Sequence, residues 1–490
     1  MQNYYLMTGC TGLLGRYLLR NYLLHDVPLA VVIRPTRLVN ARQRMDTIVC
    51  DLEEQIGRSL PRPVVLEGDL NSPGLGLKAE ARAWLRANGR GVIHNAASLS
   101  FESAPRTEEP WLTNLGGTQN VLEVARAAGL RDFHHVSTAY VCGKRTGQVY
   151  ETELHVGQEF GNDYEHSKLL AEQMIHDASW LGQRTIYRPA IIVGDSTTGF
   201  TSTFHGFYTP LRIVSTVINS LQLKEFKTGS LLEVLGFEGH ERKNLVPVDW
   251  IALVMGHLFN DPRHHGLTYH LTPEQPVTIA ESCAVMSEAV DALTLDFGKN
   301  AEIPAAEQTA FEAFLESFHN QMSVYQAYWR DDPQFDATNR LAHAPNFRCP
   351  TMTREILLRL CRYAIKANFW CSRGDRVNPG FDAAAHLERH LATGPVSPRS
   401  PLESVAQLNL SGCGGGDWRI LLRDGQPVEC SPGRADDAEI ELSLGVPTLD
   451  QMIRGELAAA AALASGAIAV TCPVTQRAQV EPLLAALTRA

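Results

Sequence analysis

Residues 4–15 read Tyr4-Tyr5-Leu6-Met7-Thr8-Gly9-Cys10-Thr11-Gly12-Leu13-Leu14-Gly15, and this stretch decides the fold. A short apolar run is expected as a strand over Tyr4 to Met7. The glycine-rich turn follows it at once, and Leu13 to Leu24 has the spacing of a helix. A glycine-rich match alone says little; between a strand and a helix it describes a loop that cradles a dinucleotide pyrophosphate. Gly9 is expected to permit the tight turn, Gly12 to let the backbone approach the phosphates, and Gly15 to let the helix pack closely on the sheet. The helix start at Thr11, Leu13 and Leu14 then offers free N–H groups and a positive dipole.

Outward from this loop, strands and helices alternate. Strands are expected at Leu29 to Ile33, Val64 to Leu66, Gly91 to His94, Phe133 to Val136 and Thr185 to Tyr187. The clearest helices are Thr118 to Ala128 and Ser167 to Trp180. Such alternation predicts an α/β, Rossmann-type, doubly wound parallel sheet. The 490 residues are too many for one core, so further domains are expected. Residues 1–300 read as a dinucleotide-binding domain with substrate-binding segments, and 301–392 as a helical substrate or lid region. The segment TGPVSPRSPL at 393–402 reads as a linker, and 403–490 as a small C-terminal α/β domain.

The residue ending the second strand selects the cofactor. An acidic side chain there binds a ribose 2′-hydroxyl. Here Ile33 is followed by Arg34, with Arg37, Arg42 and Arg44 close behind, and a guanidinium suits a 2′-phosphate. NADPH is therefore the expected cofactor. Three more stretches fall where strands of such a sheet end. Asp69-Leu70 is placed to hold the adenine edge, and Asn95-Ala96-Ala97 to line the cofactor. Asn114 stands just before a helix start.

Tyr164 and Lys168 are four residues apart, which puts both on one helix face. A nearby ammonium favours tyrosinate and is expected to lower the phenol pKa, so that the phenol works as a general acid–base toward a carbonyl oxygen. Thr138, at the end of the preceding strand, is placed to offer a second hydroxyl. Pro189-Ala190-Ile191 follows the helix and is expected to close over the nicotinamide.

Composition excludes some classes. The net charge is −10, with 44% hydrophobic and 20% charged residues. This argues against a general nucleic-acid binder. The N-terminus has no basic region followed by an apolar run, so no signal peptide is read. The Ala-rich stretch Leu457 to Val474 reads as a buried helix running into a strand rather than as a membrane span. The ten cysteines show no Cys-x-x-Cys pair, and reduced thiols in a cytoplasmic protein are expected. No metal site is read. His386 and His390 in HLERH are assigned to an exposed polar helix, and His134-His135 to packing or site lining. Cys413 to Gly416 lacks the Gly-Lys-Ser/Thr of a phosphate-binding loop.

Taken together, Thr8 to Gly15, Thr138, Tyr164 and Lys168, with Asn244 to Trp250 (NLVPVDW), resemble the extended and atypical short-chain dehydrogenase/reductases. The segments HHVSTAYVCG and YRPAIIVGDSTTG are most similar to the fatty acyl reductase and thioester reductase branch. YWRDDPQFD at Tyr328 to Asp336 is similar to the C-terminal part of some bacterial members. The resemblance implies an oxidoreductase that reduces an acyl thioester, on coenzyme A or an acyl carrier protein, to an aldehyde or alcohol. The implied site is Thr138, Tyr164 and Lys168. A second reading keeps the cofactor and takes a hydroxyl or ketone on a sterol, polyketide or sugar nucleotide. The C-terminal residues resemble a sterol carrier protein-like lipid-binding domain. The resemblance rests on Trp418-Arg419-Ile420 before Asp424-Gly425, on Asp436 to Ile440, on Arg454 to Leu457 and on Ser465 to Val470. Cys472-Pro473 departs from that pattern, where relatives carry Gly-Asp. Such a domain implies an acyl-chain tunnel or a dimerising appendage, so a homodimer is compatible with the reading.

Overall fold

The computed structural model describes residues 4–35, 40–101, 103–212, 215, 238–294, 330–369, 383–390, 403–411, 415–433, 435, 437–464, 468–473, 476 and 479–488. The linker at 393–402, Arg37, Cys413 and, within the 301–392 region, residues 301–329, 370–382 and 391–392 lie outside them. Contacts gather the chain into two compact units, Met1–Tyr22 with Gly68–Arg373, and Leu23–Glu67 with Gly374–Ala490.

The leading strands are β1 (Tyr4–Thr8), β2 (Leu29–Ile33), β3 (Val64–Glu67), β4 (Gly89–His94) and β5 (Asp132–Val136). After them come β6 (Gln148–Val149), β7 (Gln183–Pro189), β8 (Ile191–Val193), β9 (Arg242–Lys243), β10 (Leu245–Pro247), β11 (Thr268–Leu271), β12 (Val277–Thr278) and β13 (Gln334–Phe335). The first five α-helices are α1 (Leu13–Leu24), α2 (Ala41–Ile56), α3 (Ala79–Asn88), α4 (Thr118–Ala128) and α5 (Asp163–Asp177). The principal sheet has seven strands in the order β3-β2-β1-β4-β5-β7-β11. The pairings β2–β3, β1–β4, β4–β5, β5–β7 and β7–β11 are parallel. This is the expected Rossmann-type sheet. Its order reverses between β1 and β4, which leaves a crevice at the carboxyl ends of the strands where ligands bind in such folds.

The interior strands are apolar because both faces are covered. All five residues of β2, Leu-Ala-Val-Val-Ile, are buried. The bounds expected for α1, β2 and α4 are those observed. Helix α5 begins four residues earlier than expected. Asn162 caps it by accepting from the Glu165 N–H, and this brings Tyr164 into the first helical turn.

Short strand pairs build the ground around the sheet. Strand β8 leaves it and pairs with β10 in parallel, β9 pairs with β12, and β6 pairs with β13.

In the second unit, β14 (Glu403–Ser411), β15 (Gly416–Arg423), β16 (Gln426–Pro432), β17 (Ile440–Gly445) and β18 (Ile468–Thr471) form one sheet. Its order is β16-β15-β14-β17-β18. Leu408, Trp418, Ile420, Leu442 and Leu484 lie in its core. The Ala-rich stretch forms helix Ala459–Ala464 and then β18. One expectation is corrected here. HLERH is helical, but His386 is buried and its Nε2 is hydrogen-bonded to the Leu487 carbonyl at 2.9 Å. The helix turns Ala383, Ala384 and Leu387 into the same core, so its histidine needs an internal partner. Among the described residues, no helix is long and apolar enough to cross a membrane.

Candidate functional site

The glycine loop is shaped by contacts that exclude a side chain. Gly9 has φ +73°, and a Cβ there would stand 2.6 Å from the Ala96 nitrogen. A Cβ on Gly15 would stand 1.9 Å from the Gly9 carbonyl oxygen. Gly15 therefore serves packing of α1 against its own preceding loop, rather than against the sheet as expected. At Gly12, which is exposed, the nearest atom to such a Cβ would be the Gly9 oxygen at 3.6 Å. Thr11 is half-buried beside it, and Leu13 and Leu14 turn into the core.

The loop after β4 is tied to this turn. Asn95 Nδ2 donates to the Gly9 carbonyl at 3.1 Å, and the Ala96 N–H donates to Thr8 Oγ1 at 3.3 Å. Ala97 is exposed next to them. Asn114 is buried inside a π-helical turn, Leu112–Gly117, that leads into α4. Its side chain donates to the Ser98 carbonyl at 3.2 Å and to Ser167 Oγ at 3.0 Å, and it accepts from the Ser98 N–H at 2.8 Å. It thus links the loop after β4 to α5. Asp69 closes its own turn by accepting from the Asn71 N–H at 3.1 Å. Leu70 packs where a Cβ on Gly117 would lie, and its carbonyl accepts from Asn120 at 2.7 Å.

Thr138 lies just beyond the carboxyl end of β5. It is buried, and its Oγ1 accepts from the Tyr140 N–H at 3.3 Å while capping a short turn, Ala139–Cys142. The Thr138 hydroxyl donates to the Pro189 carbonyl at 3.5 Å, and it acts on the Tyr164 phenol in the direction that lowers its pKa. Phe101 stands edge-on to the Tyr164 ring at 5.3 Å. Lys168 follows one turn later, only 2% exposed. Its Nζ donates to the Val136 carbonyl at 2.7 Å and lies 3.5 Å from His135 Nε2.

This corrects the expected electrostatics. Burial holds the Tyr164 phenol up at about 12; the Thr138 hydroxyl works in the opposite direction without prevailing. Burial also brings the Lys168 ammonium down to about 8. Lys168 directs an N–H at the Val136 carbonyl, and burial outweighs every influence that would draw the phenol toward tyrosinate.

Pro189 and Ala190 are buried where β7 gives way to β8, and Ile191 is half-buried. The Ala190 N–H donates to the Leu271 carbonyl, and the Ile191 N–H to the Asn244 carbonyl. The segment therefore belongs to two sheets at once. In the other unit Arg34 is exposed after β2, and Arg44 donates from its guanidinium to the Arg34 carbonyl.

Sequence reasoning missed the buried polar groups behind this site. His94 bridges Thr8 Oγ1 at 2.8 Å and Thr118 Oγ1 at 3.0 Å, and stacks on His135. Desolvation brings it down to about 3, so it is neutral. Asp332 accepts from the Tyr140 hydroxyl at 2.6 Å, the Lys243 ammonium at 3.0 Å and the Asn244 N–H at 2.9 Å. The acidic pair Asp331-Asp332 was the only signal for it in the chain, and spacing does not show burial.

Several known proteins are similar to this chain. Nonribosomal peptide synthetase asaC of Aspergillus flavus is 24% identical over 288 residues, covering 55% of this chain and 26% of that protein. Fatty acyl-CoA reductase wat of Drosophila melanogaster is 23% identical over 276 residues, covering 50% and 51%. The chain thus spans about a quarter of the synthetase and half of the reductase. Among solved structures, the terminal R domain of the myxalamid PKS-NRPS biosynthetic pathway superimposes with a TM-score of 0.58 at 22% identity. That likeness covers 75% of this chain and 92% of the domain, and it shows the shared fold. The profile of one family matches residues 7–255, half of the chain, across the glycine loop, Thr138, Tyr164 and Lys168, and the protein belongs to that family, the male sterility protein family of NAD-binding domains.

Proposed function

We propose that the protein reduces an acyl thioester, carried on coenzyme A or on an acyl carrier protein, at a site made of Thr138, Tyr164 and Lys168. One observation carries the reading. The buried hydroxyls of Thr138 and Tyr164, coupled in the direction that lowers the phenol's pKa, stand with a buried lysine near the carboxyl end of β5, in the sheet whose β1 opens the glycine loop. The relatives that are fatty acyl-CoA reductases and synthetase R domains support the thioester as substrate.

The residues present fit a nicotinamide dinucleotide. A Cβ would fill the turn at Gly9, and the N–H groups opening α1 are directed to a phosphate. Gly9 to Gly15, Asp69, Leu70, Asn95 to Ala97, Asn114 and Pro189 to Ile191 would hold the cofactor. Arg34 and Arg44 favour NADPH, because a guanidinium after β2 suits a 2′-phosphate. When bound, the cofactor would supply the hydride that the carbonyl carbon accepts.

The chain's own residues handle the oxygen. Thr138 donates to the developing oxyanion, and Tyr164 donates the proton that neutralises it. A phenol held near 12 is fully protonated at neutral pH, which suits proton donation and therefore reduction. Oxidation of an alcohol would need tyrosinate. Lys168, protonated below about 8, positions the ribose and keeps a positive charge behind the phenol. Collapse of the hemithioacetal then releases thiol and aldehyde, and a second turnover yields the alcohol.

The C-terminal sheet we assign as an appendage for a lipophilic chain or for dimerisation, on its sequence resemblance to a sterol carrier protein-like domain. NADPH consumption with long-chain acyl-CoA, with an acyl carrier protein thioester and with a ketone panel tests the function. Turnover confined to the ketones overturns it.

A further inference from the structure

We infer that the amino-terminal end of β5 carries a structural site for a divalent transition ion of the zinc class, held by Asp132, His134 and His265. Donor atoms of the three residues lie within 4.8 Å of one another; both histidines are buried and the Asp132 side chain is 14% exposed. His134 Nε2 is 3.3 Å from Asp132 Oδ1, and His265 Nδ1 is 3.6 Å from Asp132 Oδ2. Two ligands about 2.0–2.2 Å from a tetrahedral ion stand roughly 3.3–3.6 Å apart. Each histidine thus stands at ligand-to-ligand distance from one oxygen of the Asp132 carboxylate.

The outward-facing atoms of the same residues are already engaged. His265 Nε2 is 2.8 Å from the Phe259 carbonyl. A carbonyl only accepts, so Nε2 carries the proton and the Nδ1 lone pair faces the carboxylate. His134 Nδ1 is 3.1 Å from the Tyr187 hydroxyl. Tyr5 donates its hydroxyl to Asp132 Oδ2 at 2.9 Å. Backbone carbonyls and hydroxyls on the far side of metal ligands orient them in this manner. Facing inward, Asp132 Oδ1, His134 Nε2 and His265 Nδ1 have no hydrogen-bond partner of good geometry. Buried polar atoms left in this state are costly. A cation between them removes the cost, and two imidazoles with one carboxylate select a borderline ion such as zinc over calcium or magnesium.

Asp132 and His134 alternate onto one face at the start of β5, and His265 comes from the turn before β11. An ion there staples β5 to that turn across β7. From His134 to Thr138 the strand rises about 13 Å, so the ion takes no part in the hydride chemistry. The inference does not depend on the thioester reading.

The test uses the full chain, stripped with chelator and titrated with zinc and separately with cobalt. The expected result is one ion per chain, a cobalt spectrum without thiolate charge-transfer bands, and a melting temperature raised by about 3–5 °C in zinc. Asp132→Asn and His265→Gln should each weaken binding ~100-fold or more, and Tyr187→Phe about tenfold. Wild-type protein that takes up no stoichiometric zinc and melts at the same temperature overturns the site, whether or not the variants fold. Thiolate bands, or undiminished binding in both ligand variants, overturn it as well.

Discussion

Two neighbouring turns of α5 bury opposite charges in opposite ways. Lys168 and Glu172 stand four residues apart on one face, at 2% and 0% exposure. Glu172 meets the Arg188 guanidinium at 2.6 Å through Nη2 and at 3.1 Å through Nε. That partner holds its carboxyl down at about 2 despite burial. Lys168 has a carbonyl and a histidine beside it, and its ammonium falls from 10.5 to about 8. The paired charge belongs to the architecture of β7. The ammonium without a close counterion stands one helical turn from Tyr164, in the site proposed for the reaction. A protein of marginal stability keeps such a group only where chemistry repays the cost of desolvation.

The largest effect expected is on catalysis. Tyr164→Phe should lower NADPH-dependent turnover by about 10²–10⁴-fold while fluorescence titration shows cofactor binding unchanged. Wild-type turnover would remove the chemical half of the contrast.

Breaking the paired charge should act on stability instead. Arg188→Met leaves Glu172 buried and uncompensated, which should cost ~3–5 kcal/mol in urea unfolding. Adding Glu172→Leu should recover much of it. A single variant within 1 kcal/mol of wild type, roughly the value of a surface pair, would show that the pair is not structural.

Lys168→Met should separate the two properties. Activity should fall as in the tyrosine variant, yet stability should hold or rise. Burial places roughly 3 kcal/mol against the charged lysine at neutral pH, and the substitution removes it. The desolvation penalty acts in full below pH about 8 and fades as pH rises toward 10.5. A marked loss of stability would mean that the bond to the Val136 carbonyl outweighs desolvation.

The smallest expected effects are in pH profiles. Turnover should decline as pH rises through about 8, where Lys168 loses its proton, and Lys168→Arg should move that decline upward. Glu172 contributes stability above pH 4.5, and this should be lost as pH falls from 4.5 toward about 2. Acid unfolding of the Glu172→Leu, Arg188→Met double variant should lack that component.

Much of the site was legible in the chain, element by element. Gly9 and Gly15 are required by φ and by backbone contact at 1.9 Å, and both demands arise within a dozen residues. The bounds of α1, β2 and α4 follow from apolar spacing. The earlier start of α5 was also readable, since Asn162 and Glu165 form a capping signal. The direction of the Tyr164 pKa was not. Spacing put an ammonium four residues from a phenol, and only the fold showed that ammonium donating to the end of β5.

By itself the sequence determined the loop, the order of strands and helices, and the Tyr164–Lys168 spacing. These depend on backbone sterics and on side-chain periodicity over a few residues. The tertiary structure alone decided which charges are paired, which histidines are neutral, and that His265 reaches Asp132 and His134. Those outcomes depend on desolvation and on contacts between strands far apart in the chain, and no local pattern encodes them.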